Sequence, residues 1–424
     1  MDTSEAASHS LKIISKLFAG DISSKVGVRL WDGSMWPDAL PRPATLVLKH
    51  PCSLRAMLIP GTELALAESY IYDAIDVEGN MEVAFTLADR LLETTADWKK
   101  KLGLACGLMR FPKPASYLQN RRGSARLAGH RHTVDRDREA VTYHYNVSNE
   151  FYRLFLDQRM VYSCAYFQTE ADGLEAAQLQ KLDYICRKLR LKPGQRLLDI
   201  GCGWGGLVLH AAAHFGAEAR GITLSRPQAE LANRRIADAG LSGRCRVDVA
   251  DYRELDREGG YDALVSVGMF EHVGEDMLPV FFSKAFGLLR PGGVFLNHGI
   301  ASNSQRASKK SPDFTDVYVF PDGELVPINT TLRAAEDSGF EVRDVEGLRE
   351  HYTMTLRKWV ENLETRHGDA VEITDETTYR IWRLYMAGSA YYFDTGKNNL
   401  YQTLLAKPHT CGSCRLPLTR SDWY

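Results

Sequence analysis

The chain has 424 residues, 44% of them hydrophobic and 25% charged, with a net charge of −2 at neutral pH. That length admits two or three globular domains, and the near-neutral balance confines any attraction to nucleic acid or membrane to local patches. No apolar run approaches the roughly 20 residues of a membrane span. The start, Met1-Asp2-Thr3-Ser4-Glu5, does not read as a signal peptide, and eight scattered cysteines suggest a reducing, cytoplasmic setting.

Leu11, Ile13, Ile14, Leu17 and Phe18 open a weakly helical stretch. Val26–Trp31 and Thr45–Leu48 alternate apolar and polar residues, as half-buried strands do. Turn chemistry, Trp31-Asp32-Gly33-Ser34, lies between them. Ala67–Asp73 and Met81–Leu92 then take helical spacing. Residues 1–105 are therefore expected to form a small α/β domain with an auxiliary, lipid- or membrane-associated role.

Residues 106–140 are expected to be a basic linker. Between Lys99 and Arg138 eleven basic side chains face only two acids, Asp135 and Asp137. Pro112, Pro114, Gly123 and Gly129 oppose one continuous helix. Beside an anionic bilayer each such charge is worth about 1 kcal/mol; otherwise the stretch is a solvated linker. No recognition fold or aromatic platform accompanies the charge, so no nucleic-acid partner is expected. His130-x-His132 is too sparse for a metal, and none is expected.

Residues 141–406 are expected to carry the chemistry. Aromatics crowd Tyr143–Phe167, and Leu179, Leu182, Cys186 and Leu189 recur at helical spacing before Lys192-Pro193-Gly194 ends the helix. Strands are expected at Arg196–Ile200, Ala219–Thr223, Arg246–Ala250, Tyr261–Val267 and Val294–His298, with helices between them. Ser225 to Gln228 fits a capping box, and Arg290-Pro291-Gly292-Gly293 ends the helix Met277–Leu289. Alternation of this kind gives an α/β fold: a doubly wound, mostly parallel sheet. Ligands then bind beyond the carboxyl ends of the strands, where Asp199–Gly205, Thr223, Asp251-Tyr252, Val267–Glu271 and His298 fall. Gly201-x-Gly203-x-x-Gly206 fits a dinucleotide turn. Asp199 before it would repel a pyrophosphate and suits a cofactor with an amino group and a sulfonium, so S-adenosylmethionine is expected in place of NAD.

Tyr162-Ser163-Cys164-Ala165-Tyr166-Phe167, Leu198-Asp199-Ile200-Gly201-Cys202-Gly203-Trp204-Gly205-Gly206, Gly221-Ile222-Thr223-Leu224-Ser225 and Val265-Ser266-Val267-Gly268-Met269-Phe270-Glu271-His272-Val273-Gly274 together resemble the cyclopropane-fatty-acyl-phospholipid synthases. That family includes the mycolic acid cyclopropane synthases. The match continues through Tyr318–Leu325 and His351–Leu356 and covers roughly Tyr143 to Ala406. Less specifically, Leu66–Tyr70 is similar to the extra domain of the phospholipid-acting members.

The resemblance implies a class I S-adenosylmethionine-dependent methyltransferase fold. It implies transfer of a methylene to the cis double bond of an unsaturated phospholipid acyl chain, through a carbocation that bound bicarbonate deprotonates. Carried over by position, the catalytic residues are Cys164, Glu271, His298 and Tyr352, with the backbone at Ile300. Cofactor contacts fall on Tyr162, Ser163, Asp199, Gly201, Gly203, Thr223, Leu224, Gln228, Tyr252, Arg253 and Val267. Tyr145, Phe151, Phe155, Phe167, Phe270, Tyr318 and Phe320 are acyl-tunnel candidates or core aromatics. Singly, Cys164 could be a buried hydrophobe, Glu271 a helix N-terminal acid, His298 a core histidine, and Tyr352 a packing residue; only their joint occurrence points to catalysis.

Two positions depart from the family pattern. Ser389 stands where a cysteine is frequent, and Val317 where a basic residue is common. The implied partners are unsaturated phospholipid and an anionic membrane surface at the inner face of the membrane; a homodimer is compatible with the sequence. An enzyme of the same fold that makes methyl-branched or methylene lipids, and a lipid-binding homologue without turnover, are the alternatives. Residues 407–424 read as an inert tail whose Cys411-x-x-Cys414 lacks the second ligand pair of a zinc site.

Overall fold

A computed structural model describes residues 2–18, 20–96, 104–113, 129–145, 147–256, 260–303 and 313–423, without the side chains of 93–96 and 141–145. The chain divides into two compact units. One gathers Met1–Ser124, Lys310–Val319 and Thr374–Tyr391; the other gathers Ala125–Lys309, Phe320–Ile373 and Tyr392–Tyr424. The division is thus not linear along the chain, because two later segments join the N-terminal one.

The first unit holds a four-stranded sheet in the order β2-β1-β3-β4, with β1 Val26–Arg29, β2 Met35–Trp36, β3 Ala44–Leu48 and β4 Ile75–Gly79. Only β1 and β3 are parallel. The N-terminal helix Thr3–Leu17 is longer than its apolar positions suggest, because Asp2 and Glu5 close a capping box at its start. Thr62 caps the helix Glu63–Ile71. The helix Glu376–Asp394 explains why residues 374–391 belong here. Arg380 and Arg383 are buried on it. Arg380 donates to the Tyr70 carbonyl at 2.8 Å and pairs with Asp76 at 3.2 Å, and Arg383 donates to the Tyr70 hydroxyl at 3.0 Å. A buried guanidinium is tolerated only where its donors are met.

The second unit holds a seven-stranded sheet in the order β10-β11-β9-β8-β5-β6-β7, with β10 at Glu341–Gly347 and β11 at Asn398–Ala406. The parallel part is β5 Arg196–Ile200, β6 Glu218–Thr223, β7 Cys245–Val249, β8 Tyr261–Val267 and β9 Leu289–Ser302. Their apolar residues are buried on both faces, with Leu197, Val265 and Leu296 in one core cluster and Leu198, Leu264 and Phe295 in the other, covered by Val208 and Phe281 of the flanking helices. The expected doubly wound α/β architecture is therefore present.

Three features differ from the sequence reading. The Pro-Gly-Gly run before Val294 does not separate helix from strand. It forms a bulge inside a longer β9, with Tyr261 paired to Leu289 and Ala263 to Val294, and the Gly292 N–H donates to the Lys407 carbonyl at 2.7 Å. Two antiparallel strands, β10 Glu341–Gly347 and β11 Asn398–Ala406, extend the sheet. The tail is not inert. Cys414 and Trp423 are buried in the core, the Cys414 thiol donates to Glu341 at 3.2 Å, and Arg190 pairs with Asp422 at 2.7 Å. No metal-ligating cluster occurs among the described residues.

The basic stretch also needs correction where it is described. The helix Val134–Tyr145 occupies its end. Arg136 binds Asp322 through Nε at 2.5 Å and through its second amino group at 3.0 Å, Arg131 pairs with Asp322 at 3.4 Å, and Arg138 pairs with Asp135 at 3.1 Å. These cations are matched within their own unit. Lys99, Lys100, Lys101, Arg121, Arg122 and Arg126 lie outside the described residues. No helix among the described residues is long and apolar enough to cross a membrane.

Candidate active site

A cavity of about 130 Å³ opens at the carboxyl ends of β5, β6, β7 and β8. All eleven positions carried over as cofactor contacts line it: Tyr162, Ser163, Asp199, Gly201, Gly203, Thr223, Leu224, Gln228, Tyr252, Arg253 and Val267. The turn after β5 requires its glycines. Gly201 sits at φ +84°, and a Cβ there would stand 2.6 Å from the Met269 Cβ; Gly203, at φ +53°, would meet nothing within 4 Å. The Gly201 and Cys202 N–H groups both donate to the Ile222 carbonyl at 3.0 Å, which ties the turn to β6.

Burial sets the electrostatics. Asp199 is 3% exposed, and its Oδ1 has no hydrogen-bond partner among the described residues. Desolvation lifts its carboxyl to about 7, against the pull of the Lys181 charge. Lys181 is itself 1% exposed and donates to the Ser163 hydroxyl at 2.9 Å. Desolvation lowers its ammonium to about 8, opposed by Asp157. A buried carboxylate and a buried ammonium thus share one cavity wall. Such a wall fits a zwitterionic amino-acid group, which would meet both charges.

Lys181 was not singled out from the sequence, although a signal exists. It falls on the helical stripe Gln178, Lys181, Leu182, Ile185, whose members are all buried. Asp137, read only as a counter-charge in the linker, also lines the cavity. Arg253 is held by Asp251 through 2.8 and 2.6 Å bonds, by Asp137 at 2.8 Å and by the His132 carbonyl at 2.7 Å. Those anions raise its already high pKa. Its guanidinium thus builds the cavity wall. Gln228 forms half of the expected capping box: Ser225 accepts from its N–H, while its side-chain oxygen accepts from Thr223 at 2.7 Å.

The four catalytic candidates do not line this cavity. They gather in pairs at adjoining backbone points. The Ile300 N–H donates to Glu271 Oε1 at 2.7 Å, and His298 lies two residues earlier on β9, so the His298 and Ile300 side chains share one face of the sheet. The Cys164 Sγ lies 3.2 Å from the Ala165 carbonyl and 3.8 Å from the Leu348 carbonyl, which also accepts the Tyr352 N–H at 3.1 Å. Leu348 N–H in turn donates to Leu400, the residue opposite Ile300. Lys181 connects this group to the cavity, because its charge acts on Cys164, Asp199 and His298.

Glu271 Oε2 and His298 Nε2 are buried without hydrogen-bond partners among the described residues. Desolvation raises the Glu271 carboxyl to about 7, opposed by the Ile300 N–H. Burial, then Lys181 and Lys188, pushes the His298 imidazole well down, and burial pushes the Cys164 thiol well up. The group therefore offers a carboxyl poised near neutrality and a neutral imidazole, which suit proton transfer and anion binding.

The aromatic candidates separate. Phe151 and Phe155 pack with Tyr152, Tyr162 and Trp359 in one buried cluster. Phe167 stacks near His351, Phe270 packs on Phe281 and Phe282, and Phe320 meets His272. Tyr318 lies in the other unit, bound to Glu68 at 3.1 Å. Ser389 is part-buried there, on the helix Glu376–Asp394. The Tyr145 side chain lies outside the described residues.

The family described as mycolic acid cyclopropane synthetase matches residues 132–403. A probable fatty acid methyltransferase of Pseudomonas putida is 40% identical over 401 residues, covering 94% of this chain and 95% of that protein. The tuberculostearic acid methyltransferase UfaA1 of Mycobacterium tuberculosis is 37% identical, covering 65% of this chain and 66% of its own. Among solved structures, the mycolic acid cyclopropane synthase CmaA1 complexed with SAH and CTAB has a TM-score of 0.60 at 34% identity, covering 63% of this chain and 97% of that one.

Proposed function

The chain belongs to the mycolic acid cyclopropane synthetase family, and from that premise we propose that it is a cyclopropane-fatty-acyl-phospholipid synthase using S-adenosylmethionine and bicarbonate. The observation that carries the reading is the pair of buried polar atoms without partners among the described residues, Glu271 Oε2 and His298 Nε2, the latter inside β9, which runs on to Ser302, together with a cavity lined by Asp199 and Lys181.

S-adenosylmethionine, when bound, supplies an electrophilic methyl. Asp199 and Lys181 would hold its amino and carboxylate groups, with Ser163 oriented by Lys181. Attack by the acyl double bond forms a carbon–carbon bond and leaves a cation on the chain, with S-adenosylhomocysteine as leaving group. Ring closure then requires loss of one proton from the added methyl. Glu271 and His298, with Cys164 and Tyr352 as neighbours, would hold a bicarbonate, which would supply the base. Glu271, poised near pH 7, can take up the proton that such an anion must pass on. Membrane association is read from the basic sequence between Lys99 and Arg126 and would weaken with salt. Both a monomer and a homodimer fit.

The test is incubation of the full chain with S-adenosylmethionine, bicarbonate and monounsaturated phospholipid vesicles, followed by mass spectrometry and NMR of the lipids. Gain of one CH₂ with a ring in place of the double bond is expected. Cofactor binding without lipid product overturns the reading. The relatives named fatty acid and tuberculostearic acid methyltransferases favour a second reading, a methyl-branched or methylene product. A methylated lipid that keeps a double bond, or a saturated methyl-branched lipid formed when a hydride-donating reductant is added, would establish it.

A further inference from the structure

We propose that Lys188 and Gln402 are positioning residues that lock His298 as its neutral Nε2–H tautomer, so that it acts as a hydrogen-bond donor and not as a base. Lys188 ends the helix Leu174–Lys188, and Gln402 lies on β11 opposite His298 on β9. Lys188 and Gln402 have no measurable exposure and His298 has 1%.

The assignment follows from which atoms can donate. An ammonium has three donors and no acceptor. Lys188 Nζ lies 3.1 Å from Gln402 Oε1 and is fixed on its other sides by Glu346, by Asp344 at 3.5 Å and by the face of Tyr184 at 4.7 Å. The amide oxygen of Gln402 must therefore face Lys188, since a reversed amide would set donor against donor. The amide NH₂ then faces His298 Nδ1, 3.1 Å away. An NH₂ group cannot accept, so Nδ1 must be the bare nitrogen. The neutral ring carries its proton on Nε2, the buried atom without a partner among the described residues.

The surrounding charges oppose a second proton. Lys181 and Lys188 both act against the imidazolium, and Glu346 and Asp344 are engaged by Lys188. His351 accepts the Phe167 N–H at Nδ1 over 3.0 Å, so it too is neutral at that nitrogen. The tautomer stands on these contacts alone. Its catalytic consequence rests on the proposed function: His298 donates to a bound oxyanion, and proton uptake falls to the Glu271 side.

The experiment is nitrogen NMR of the full chain labelled with ¹⁵N-histidine, with His298 assigned by its loss in His298→Gln. Expected is a protonated Nε2 and a bare Nδ1 from pH 6 to 9. A protonated Nδ1, or titration of His298 within that range, overturns the proposal in the wild-type protein alone. Gln402→Glu sets a carboxylate against Nδ1 while keeping the side-chain shape. It should move the proton to Nδ1 and lower kcat roughly 10²-fold, with KM for S-adenosylmethionine unchanged. An unchanged tautomer and rate in this variant overturn the role of Gln402. Cyclopropane formation by a wild-type protein whose His298 carries Nδ1–H would leave the proposed function intact and refute this inference. The expected tautomer without any lipid product would do the reverse.

Discussion

Replacing Glu271 by Gln should abolish turnover and at the same time stabilise the protein above neutral pH. The carboxyl moves from 4.5 to about 7 on folding because burial strips its water. The folded state therefore binds this proton more tightly than the unfolded chain does. The stability this confers is full below about 4.5, declines as pH rises to about 7, and is level above that. At about 1.4 kcal/mol per tenfold change in proton affinity, the full swing is about 3 kcal/mol. Between pH 5 and pH 8 it is about 2–3 kcal/mol.

Glutamine keeps the acceptor for the Ile300 N–H and carries no charge, so the variant escapes this decline. Melting midpoints of wild type and Glu271→Gln, measured without ligands, should diverge by roughly 3 °C between pH 5 and pH 8, with the variant the more stable at pH 8. A midpoint difference that stays constant over that range would refute the buried-carboxylate reasoning, whatever the activity of the variant.

Asp199→Asn should weaken S-adenosylmethionine binding at least roughly tenfold at pH 8 in calorimetry. Wild-type affinity should tighten from pH 6 to roughly pH 7.5, as a carboxyl near 7 ionises, while the variant does not tighten; parallel pH profiles would refute the cation-binding role. Gly201→Ala combines a left-handed backbone with a Cβ 2.6 Å from Met269 and should cost about 2–5 kcal/mol in denaturant unfolding. An unchanged midpoint would mean the turn relaxes freely. Trp423→Ala removes a buried ring that Lys188 faces at 5.3 Å. Its melting point should fall by an amount matching about 3–5 kcal/mol, whereas an inert tail predicts no change.

Local periodicity and turn chemistry were sufficient for the parallel strands β5 to β8, the glycine turn and the cavity residues at the strand ends. These features are written within a few neighbouring positions, and the strand-to-helix alternation places all the strand ends on one side. The additions to this frame could not be read that way. The strand β10 reads Glu-Val-Arg-Asp-Val-Glu-Gly, with no apolar face to announce it. Its partner β11 is defined by pairing with β9, from which it is distant in the chain.

Lys181 and Lys188 look like ordinary solvated lysines until folding buries them, and the groups that make burial tolerable are remote. Lys188 and Gln402 are 214 positions apart. Arg380 and the Tyr70 carbonyl are 310 apart. A buried polar group must find its complement somewhere in the fold, and no pattern along the chain says where. The residue types able to carry acid, base and cofactor chemistry were therefore legible from the chain. Which of them became a neutral donor, a carboxyl near pH 7 or a buried ammonium was decided by desolvation and by partners that only the tertiary structure brings together.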